Sequence, residues 1–419
     1  MRRRDLLLAP VSLPLALAQT ATTGNQPDPG QSQYRKPREW VTAAASRDTA
    51  PRVGLIPSTF AGTEEMDGRK IPALAKPAPI TEPVTAAQLT DMLRLGVELG
   101  GGRRGGLATA VSREDWVLIK VSIQKCGCDA AFHPGTVTDP RLVASVLRYL
   151  VERGLGRRFS IVEGAPWKPA AAADSMWDSN WKGSFDGLTY RSLVQELSKK
   201  HPSLRFELLD LNAAPSLEMP VEGRVFASRN PNGVYHVPRV LRECDKVVSI
   251  APLSTRAGSG IGLSVLNYLG FAPANVYGER KERLLASGAP GEIAVDLFSF
   301  HPADYSIVGG TFAAESDGGP DGNTRMRRHN VLIAGTNAPA VDAIGAAVMG
   351  FDSRAIRHLD LAVRHGYGVN DAYSIWTRGA EIDEVKAEFR KPPTAEVAES
   401  HRSSRSASRA APEPRATRS

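Results

Sequence analysis

Short apolar segments alternate with amphipathic segments along most of the chain, and this alternation restricts its fold more than any other feature. Trp116–Ile123 and Phe159–Glu163 have the length and apolar content of strands, whereas Pro140–Arg153 between them carries Leu and Val at helical spacing. Strands that alternate with helices predict βαβ units, and therefore an α/β fold with a largely parallel sheet flanked by helices in three layers. By the same pattern we predict strands at residues 206–211, 246–251, 305–308 and 331–334, and helices at 190–200, 237–244, 262–269 and 339–349.

The two ends of the chain differ from this central part. Residues 1–18 include three consecutive arginines and an apolar stretch that is too short to span a bilayer and ends in a small-x-small sequence. They predict a signal peptide, which resembles the twin-arginine type through Arg3–Leu7, although an ordinary secretory signal also fits. We expect residues 19–50 to be a linker, residues 51–390 a single α/β domain and residues 391–419 a disordered basic tail. The expected product is a soluble, bacterial-type protein without a membrane span, exported to the periplasm or beyond.

The net charge of +7 lies mostly at the ends of the chain. Residues 1–18 carry +2 and residues 391–419 carry +3, which leaves about +2 for the rest. So small an excess, without an aromatic and basic recognition motif, argues against a nucleic-acid-binding protein. The three cysteines are too few for a disulfide scaffold, so packing must hold the core together.

Polar side chains follow several predicted strands, at the edge where open α/β sheets bind their ligands. Arg256 and the glycine-rich turn Gly258–Gly262 precede a predicted helix, whose amino end would favour a phosphate or carboxylate; a tight packing turn is the alternative. Asp342 lies near the amino end of another predicted helix, where it either reaches the same edge, as we favour, or is buried and paired. Asn267 also fits a structural hydrogen-bonding role. The candidate ligand-binding residues are Lys120, Thr255, Arg256, Gly258, Gly260, Asn267 and Asp342.

Two further groups of residues carry ionisable or metal-binding side chains. The carboxylates of Glu315, Asp317 and Glu163 are candidates for acid/base catalysis or for binding a divalent cation, with the capping of turns as the alternative. Cys126, Cys128 and His133 have the ligand types for zinc or copper, but their spacing also fits a redox pair or structural thiols. The cofactor therefore stays unknown, with a divalent metal as the candidate.

Three of the six tryptophans, Trp167, Trp177 and Trp181, lie within fifteen residues of one another. If exposed, they would stack on sugars or other flat ligands. If buried, they would anchor a surface flap, which is the interpretation that we favour.

Several short motifs lie between roughly residues 85 and 375. They are Val117–Lys120, Gly135–Thr138 before Pro140, Ser249–Thr255, Leu263–Asn267, Ser306–Gly310, Glu315 with Gly318–Pro320, Leu332–Thr336 followed by Pro339 and Val341–Asp342, and Met349–Asp352. In order and spacing this set resembles the domain of unknown function 362 (DUF362) family. The resemblance implies an α/β fold and no particular activity.

The chain departs from this family at the third matched strand. Where relatives often carry Lys-x-Lys-Thr-His, the aligned positions read Pro252, Leu253, Ser254, Thr255 and Arg256. Some relatives also carry iron–sulfur cysteines, a set that this chain lacks. Neither a lysine-based role nor an iron–sulfur cluster is therefore carried over from the family.

Three functions remain open from the sequence. The leading hypothesis is an enzyme for an acidic small molecule, with Arg256 and its turn as the anion site and Glu315, with Asp317 or Glu163, as acid/base or cation-binding groups. One alternative is a carbohydrate-binding or envelope-binding module that uses Trp167–Trp181. The other is a metal or redox protein that uses Cys126, Cys128 and His133. The sequence gives no indication of a partner protein.

Overall fold

A ten-stranded mixed sheet lies at the centre of the part of the chain that the structure describes. The structure is a computed structural model, and it describes residues 51–66, 68–101, 106–125, 132–165, 175–178, 183–316 and 324–392. The strands are β1 (Arg52–Pro57), β2 (Glu64–Met66), β3 (Arg69–Ile71), β4 (Trp116–Lys120), β5 (Arg158–Glu163), β6 (Arg205–Asp210), β7 (Ser216–Pro220), β8 (Val234–Pro238), β9 (Lys246–Arg256), β10 (Gly260–Ile261), β11 (Tyr305–Ser316), β12 (Thr324–Arg327), β13 (Val331–Gly335) and β14 (Trp376–Gly379). The α-helices are α1 (Ala86–Gly100), α2 (Pro140–Glu152), α3 (Ser175–Asp178), α4 (Tyr190–Lys200), α5 (Val240–Glu243), α6 (Ala274–Tyr277), α7 (Glu282–Leu285), α8 (Pro290–Ser299), α9 (Ala338–Val348), α10 (Arg357–Arg364) and α11 (Ile382–Val385). Short 3₁₀ helices lie at Gly106–Thr109, Pro134–Thr136, Phe185–Gly187, Leu266–Phe271, Ser353–Ala355 and Ala372–Ser374.

The order of strands in the sheet is β14-β1-β13-β11-β9-β4-β5-β6, with β10 paired to β9 and β12 paired to β11. Neighbouring strands are parallel from β11 through β6 and between β14 and β1. β13 is antiparallel to both β1 and β11. It follows the β11–β12 hairpin after a short turn, whereas a parallel return needs a crossover of a dozen or more residues. The predicted largely parallel α/β sheet is therefore confirmed, with β13 as its antiparallel member.

Helices cover both faces of the sheet, as the three-layer prediction requires. One hydrophobic cluster joins the sheet to α8, α9 and α10. A second cluster joins the opposite face to α1, α2 and α4. The central strands β4 and β9 are buried along most of their length because both of their faces are covered. No helix in the described part of the chain is long and apolar enough to cross a membrane.

Capping residues set the amino ends of the two helices that the sequence marks most clearly. The Asp139 side chain accepts a hydrogen bond from the Arg141 amide at 2.9 Å, and Pro140 begins α2. The Asn337 side chain accepts from the Ala340 amide at 3.0 Å at the start of α9. Proline in the first turn costs no hydrogen bond, since the first amides of a helix have no partner within it. The predicted helices at 140–153, 190–200 and 339–349 are thus confirmed to within a residue at either end.

The chain between residues 237 and 271 differs from the prediction of two helices. Val237 pairs with Leu217 in the β7–β8 hairpin, so only the single turn α5 remains helical. β9 continues past its predicted end to Arg256 and folds back as β10. The helix predicted at residues 262–269 is consequently replaced by a 3₁₀ helix at Leu266–Phe271.

Candidate functional site

A cavity of about 370 Å³ opens at the carboxyl ends of three neighbouring parallel strands, β4, β5 and β9. Its polar wall contains Glu163, Arg256, Asn267, Arg280 and Lys281. This is the edge at which open α/β sheets bind ligands. Three of the residues that the sequence predicts at this edge, Glu163, Arg256 and Asn267, line this one cavity.

Lys120, at the end of β4, forms a buried network beneath this cavity. Its ammonium group donates to the Glu163 carboxylate, to Asn267 Oδ1 at 2.8 Å and to the Val121 carbonyl at 2.6 Å. The Asn267 amide group in turn donates to the Lys120 carbonyl at 3.2 Å and to Ser249 Oγ at 3.1 Å. All three protons of the ammonium group therefore have acceptors, and Asn267 holds the end of β4 against β9.

Burial shifts the pKa values of both members of this ion pair. It lowers the pKa of Lys120 and raises the pKa of Glu163, and the attraction between the two groups opposes both changes. Glu163 is the member of the pair that lines the cavity. Its carboxyl group therefore combines access to a ligand with a pKa above the ordinary value of a glutamic acid.

Gly270 lies where the 3₁₀ helix passes closely over the pair. A Cβ atom at this position would lie 2.5 Å from Lys120 Nζ and 2.9 Å from Glu163 Oε2. Both distances are shorter than real Cβ contacts, so a larger residue would displace the ion pair. The close approach of the backbone explains how two charged groups are shielded from solvent at this point.

Lys281 is a second buried lysine of the cavity wall, and the sequence analysis did not single it out. It has the left-handed conformation (φ 55°) before α7, and its ammonium group donates to the carbonyls of Ala272 and, at 3.1 Å, Leu269. Burial lowers the pKa of Lys281 to about 7, while Glu163 opposes the shift. The only sequence signal is a run of charged residues, Glu279–Arg283, which ordinarily indicates an exposed segment.

Arg256 differs from both lysines in its lack of bonded partners within the described part of the chain. Its guanidinium group makes no hydrogen bond or ion pair with any residue that the structure describes. Burial lowers the pKa of this group, and the Glu163 charge opposes the shift. Arginine stays protonated in proteins, so Arg256 brings an unneutralised cation into the cavity wall.

The glycine-rich turn after Arg256 does not form the predicted helix amino end. Gly258 and Gly260 have positive φ values of 77° and 78° and form the β9–β10 turn. The Ser259 amide donates to the Arg256 carbonyl at 3.2 Å, so it is occupied within the turn. Gly258 and Gly260 therefore shape the turn that presents Arg256, and the prediction of an anion held at a helix amino end is wrong here.

Asp342 is fully buried in α9 and does not line the cavity. Its two carboxylate oxygens accept hydrogen bonds from the amides of Ser264 and Val265, both at 2.8 Å. The Asp342 carboxylate therefore occupies a position next to backbone amides, where the sequence predicts an external anion. Of the two interpretations of Asp342, the buried and paired one is correct.

Thr255 and Glu315 are also engaged away from the cavity. The buried Thr255 hydroxyl accepts from the Ser316 amide at 2.8 Å, which joins β9 to β11. Glu315 lies opposite Arg325 in the β11–β12 hairpin and pairs with Arg327 Nη1 at 2.7 Å. Glu315 is not among the residues that line the cavity with Glu163, and Asp317 lies outside the described residues.

The predicted metal site lies only partly within the described residues, which contain His133 but not Cys126 or Cys128. His133 Nε2 lies 2.8 Å from the Thr324 hydroxyl, and burial lowers the pKa of this histidine. Among the described residues no group of three His, Cys, Asp or Glu side chains could hold a metal ion. Metal binding by these three residues stays a prediction.

Trp177 is buried, with 4% of its surface exposed, and packs edge-on against Tyr190 at a ring distance of 6.0 Å. This placement agrees with the packing role favoured above and removes Trp177 from any exposed sugar platform. Trp167 and Trp181 lie outside the described residues.

The fold and the cavity define the chain as an α/β protein with a cavity lined by charged residues at the carboxyl ends of parallel strands. The family model described as Domain of unknown function (DUF362) matches residues 117–347, more than half of the chain, and the chain therefore belongs to this family. The matched region begins in β4, ends in α9 and contains every polar residue of the cavity wall named above. No curated protein matches the sequence.

Proposed function

We propose that the protein binds an anionic small molecule in the cavity between β4, β5 and β9, with Arg256 as its principal contact. The observation that carries this proposal is the guanidinium group of Arg256, which lies in the cavity wall without an ion-pair partner among the described residues. Guanidinium groups bind carboxylates and phosphates through two parallel hydrogen bonds. A bound anion would supply the acceptors that the described protein groups do not.

The charge balance of the cavity supports the same proposal. The cations Arg256 and Arg280 line it, together with Lys281, whose pKa burial lowers to about 7, whereas Glu163 is the one carboxylate among its described lining residues. Lys120 already neutralises Glu163 from below. The remaining charge in the wall is positive, and a cavity of one sign concentrates ligands of the opposite sign.

Titration calorimetry with a panel of anions tests the proposal. The panel is acetate, butanoate, succinate, inorganic phosphate and butyl phosphate. We expect at least one anion to bind, and Arg256→Gln to weaken its binding by about tenfold or more, because charge-assisted hydrogen bonds are lost. Arg113→Gln is the matched control, since Arg113 is 87% exposed in its side chain and does not line the cavity. Equal affinity in the wild type and Arg256→Gln would refute the role of Arg256.

A second candidate function is proton transfer to or from the bound anion by Glu163. The observation that favours it is a carboxyl group in the cavity wall whose pKa is raised by burial, as general acids and bases require. Exchange of the carbon-bound protons beside the ligand's anionic group for deuterium in D₂O, followed by NMR, should occur with the wild type and be lost in Glu163→Gln. Retained exchange in that variant would exclude Glu163 as the proton carrier.

We also propose that the protein is exported, on the basis of the sequence pattern of residues 1–18. The mature form should appear in the periplasmic fraction without these residues. Arg3→Lys with Arg4→Lys should retain the full chain in the cytoplasm if the route is the twin-arginine one. Export that survives this double substitution would indicate the general secretory route, and a full-length wild-type chain in the cytoplasm would contradict export.

A further inference from the structure

The wall of the cavity is not uniformly charged. Leu263, Leu266 and Leu269 contribute from the turn and 3₁₀ helix that follow β10, and Leu284 and Leu285 contribute from α7. The charged groups come instead from the strand ends and from the residues just before α7. A ligand in this cavity therefore contacts cationic groups and a set of leucines at the same time.

Leu285 gives a second, independent indication of an apolar ligand group. It is 43% exposed, although its neighbour Leu284 is buried to 1%. Among the large hydrophobic side chains of the described residues, only a few are this exposed, and Leu285 is the one of them that lines the cavity. Covering such a side chain releases water and stabilises a complex by an amount that grows with the apolar area buried.

We propose that the ligand is an amphipathic anion, with one carboxylate or phosphate head at Arg256 and an apolar body against the leucines. This inference rests on the proposed function and adds the class of ligand to it. Arg280 and Lys281 also line the cavity, so a second charge avoids a penalty only if it reaches one of them. Placed against the leucines instead, it would be desolvated without a partner, which is costly. The cavity volume of about 370 Å³ is at the small end of the usual range for ligand sites, so the body is short.

Chain length and end-group chemistry together test this ligand class. Calorimetry with acetate, butanoate and hexanoate should show affinity rising about fourfold per methylene group until the cavity is filled, as the burial of each methylene predicts. Adipate has the same length as hexanoate but a second carboxylate, and we expect it to bind at least about tenfold more weakly. Hexanamide, which lacks the charge, should also bind more weakly than hexanoate. Butyl phosphate compared with pentanoate, which has the same four-carbon apolar body, identifies the preferred head group.

Two substitutions separate the head from the body. Leu285→Ser should weaken hexanoate and leave acetate unchanged, and its exposed position makes the substitution compatible with folding. Arg256→Gln should weaken both anions by the same factor. Val234→Ser is the matched control, because Val234 is 41% exposed and lies in β8, outside the cavity wall. It should leave both affinities unchanged.

The possible outcomes separate a failure of the proposed ligand class from a failure of the proposed anion site. If no anion binds, or if Arg256→Gln has no effect, the proposed anion site fails, and the ligand class fails with it. If anions bind through Arg256 but affinity is independent of chain length, or adipate equals hexanoate, the amphipathic ligand is refuted and the anion site stands. Binding of hexanoate that is insensitive to Leu285→Ser would also overturn the apolar contact proposed here.

Discussion

Two buried polar regions of the molecule differ in the kind of partner that each charge has. At the cavity, the Glu163 carboxylate is paired with the ammonium group of Lys120. Beneath the helical layer of α9 and α10, the Asp342 carboxylate is held by two backbone amides, and His358 has no hydrogen-bond partner among the described residues on either ring nitrogen. Both regions are shielded from solvent, but only the first borders the cavity at the ends of β4, β5 and β9.

The difference shows why burial and charge alone do not identify a functional group. The amides around Asp342 belong to the backbone, so this carboxylate cannot change partners without unfolding the turn at Ser264 and Val265. Glu163 is paired with a side chain and not with the backbone, and it lines the cavity, so a ligand that enters can contact its carboxyl group. We therefore expect substitutions in the helical layer to alter stability alone, and substitutions at the cavity to alter stability and ligand binding together.

The largest effect is expected from Lys120→Met. Removing one member of a buried ion pair leaves the Glu163 carboxylate without its compensating charge, which costs about 3–5 kcal/mol in the free energy of unfolding. Adding Glu163→Met removes that carboxylate and should restore a large part of the loss. Urea denaturation of both variants measures the two values. A single variant as stable as the wild type would mean that Glu163 finds another partner, such as Lys281, and that the pair is not what stabilises this region.

A pH-dependent effect is expected from His358 in the helical layer. Burial lowers its pKa from 6.5 to about 4, so between these values the unfolded chain binds more protons than the folded one. The stabilisation is present above pH 6.5 and is lost as the pH falls toward 4, by roughly 3 kcal/mol. His358→Leu should remove this part of the acid sensitivity. We would compare the free energies of unfolding of the two proteins at pH 7 and pH 4.5, and an unchanged difference between the two pH values would contradict the assignment to His358.

Asp342→Asn should destabilise the protein by about 2 kcal/mol, because one buried backbone amide then faces an amide nitrogen and loses its acceptor. The affinity of the folded variant for anions should stay unchanged, since Asp342 does not line the cavity. Calorimetry at a temperature where the variant is fully folded checks this point. Weaker anion binding under those conditions would show that the turn at Ser264 and Val265 transmits its geometry to the cavity, and would remove the distinction between the two regions.

Much of the fold could be predicted because local patterns decide it. Tyr190–Lys200 and the helix beginning at Pro140 show their spacing and end signals directly in the sequence. The direction of β13 could not be predicted in the same way, since it depends on the hairpin that β12 forms with β11. The sequence predicts the start of a helix at the β9–β10 turn because glycine-rich sequences fit both structures.

The candidate site was predictable where a residue ends a strand and not where tertiary packing decides. Glu163 and Arg256 follow strands whose carboxyl ends meet, and the rule for open sheets brings them together. Lys281 belongs to a charged run, and only the left-handed turn before α7 carries it into the cavity. Asp342 lies in a helix that the sequence predicts, but its burial depends on the turn at Ser264 and Val265, whose amides it binds and which is distant in sequence.

The smallest effect is expected from Glu315→Gln, which tests whether the cavity is the only place where a carboxylate contributes to ligand binding. The Glu315–Arg327 pair is partly exposed, so its loss should cost less than about 1 kcal/mol. Arg327 also donates to the Glu388 carbonyl at 2.7 Å and lies 4.3 Å from the centre of the Phe389 ring, contacts that hold it in place without Glu315. Anion affinity should match the wild type, whereas Glu163→Gln in the same assay should change it. A loss of affinity in Glu315→Gln comparable to that in Arg256→Gln would return Glu315 to the ligand site, as the sequence motif suggests, and would show that the cavity between β4, β5 and β9 is only part of that site.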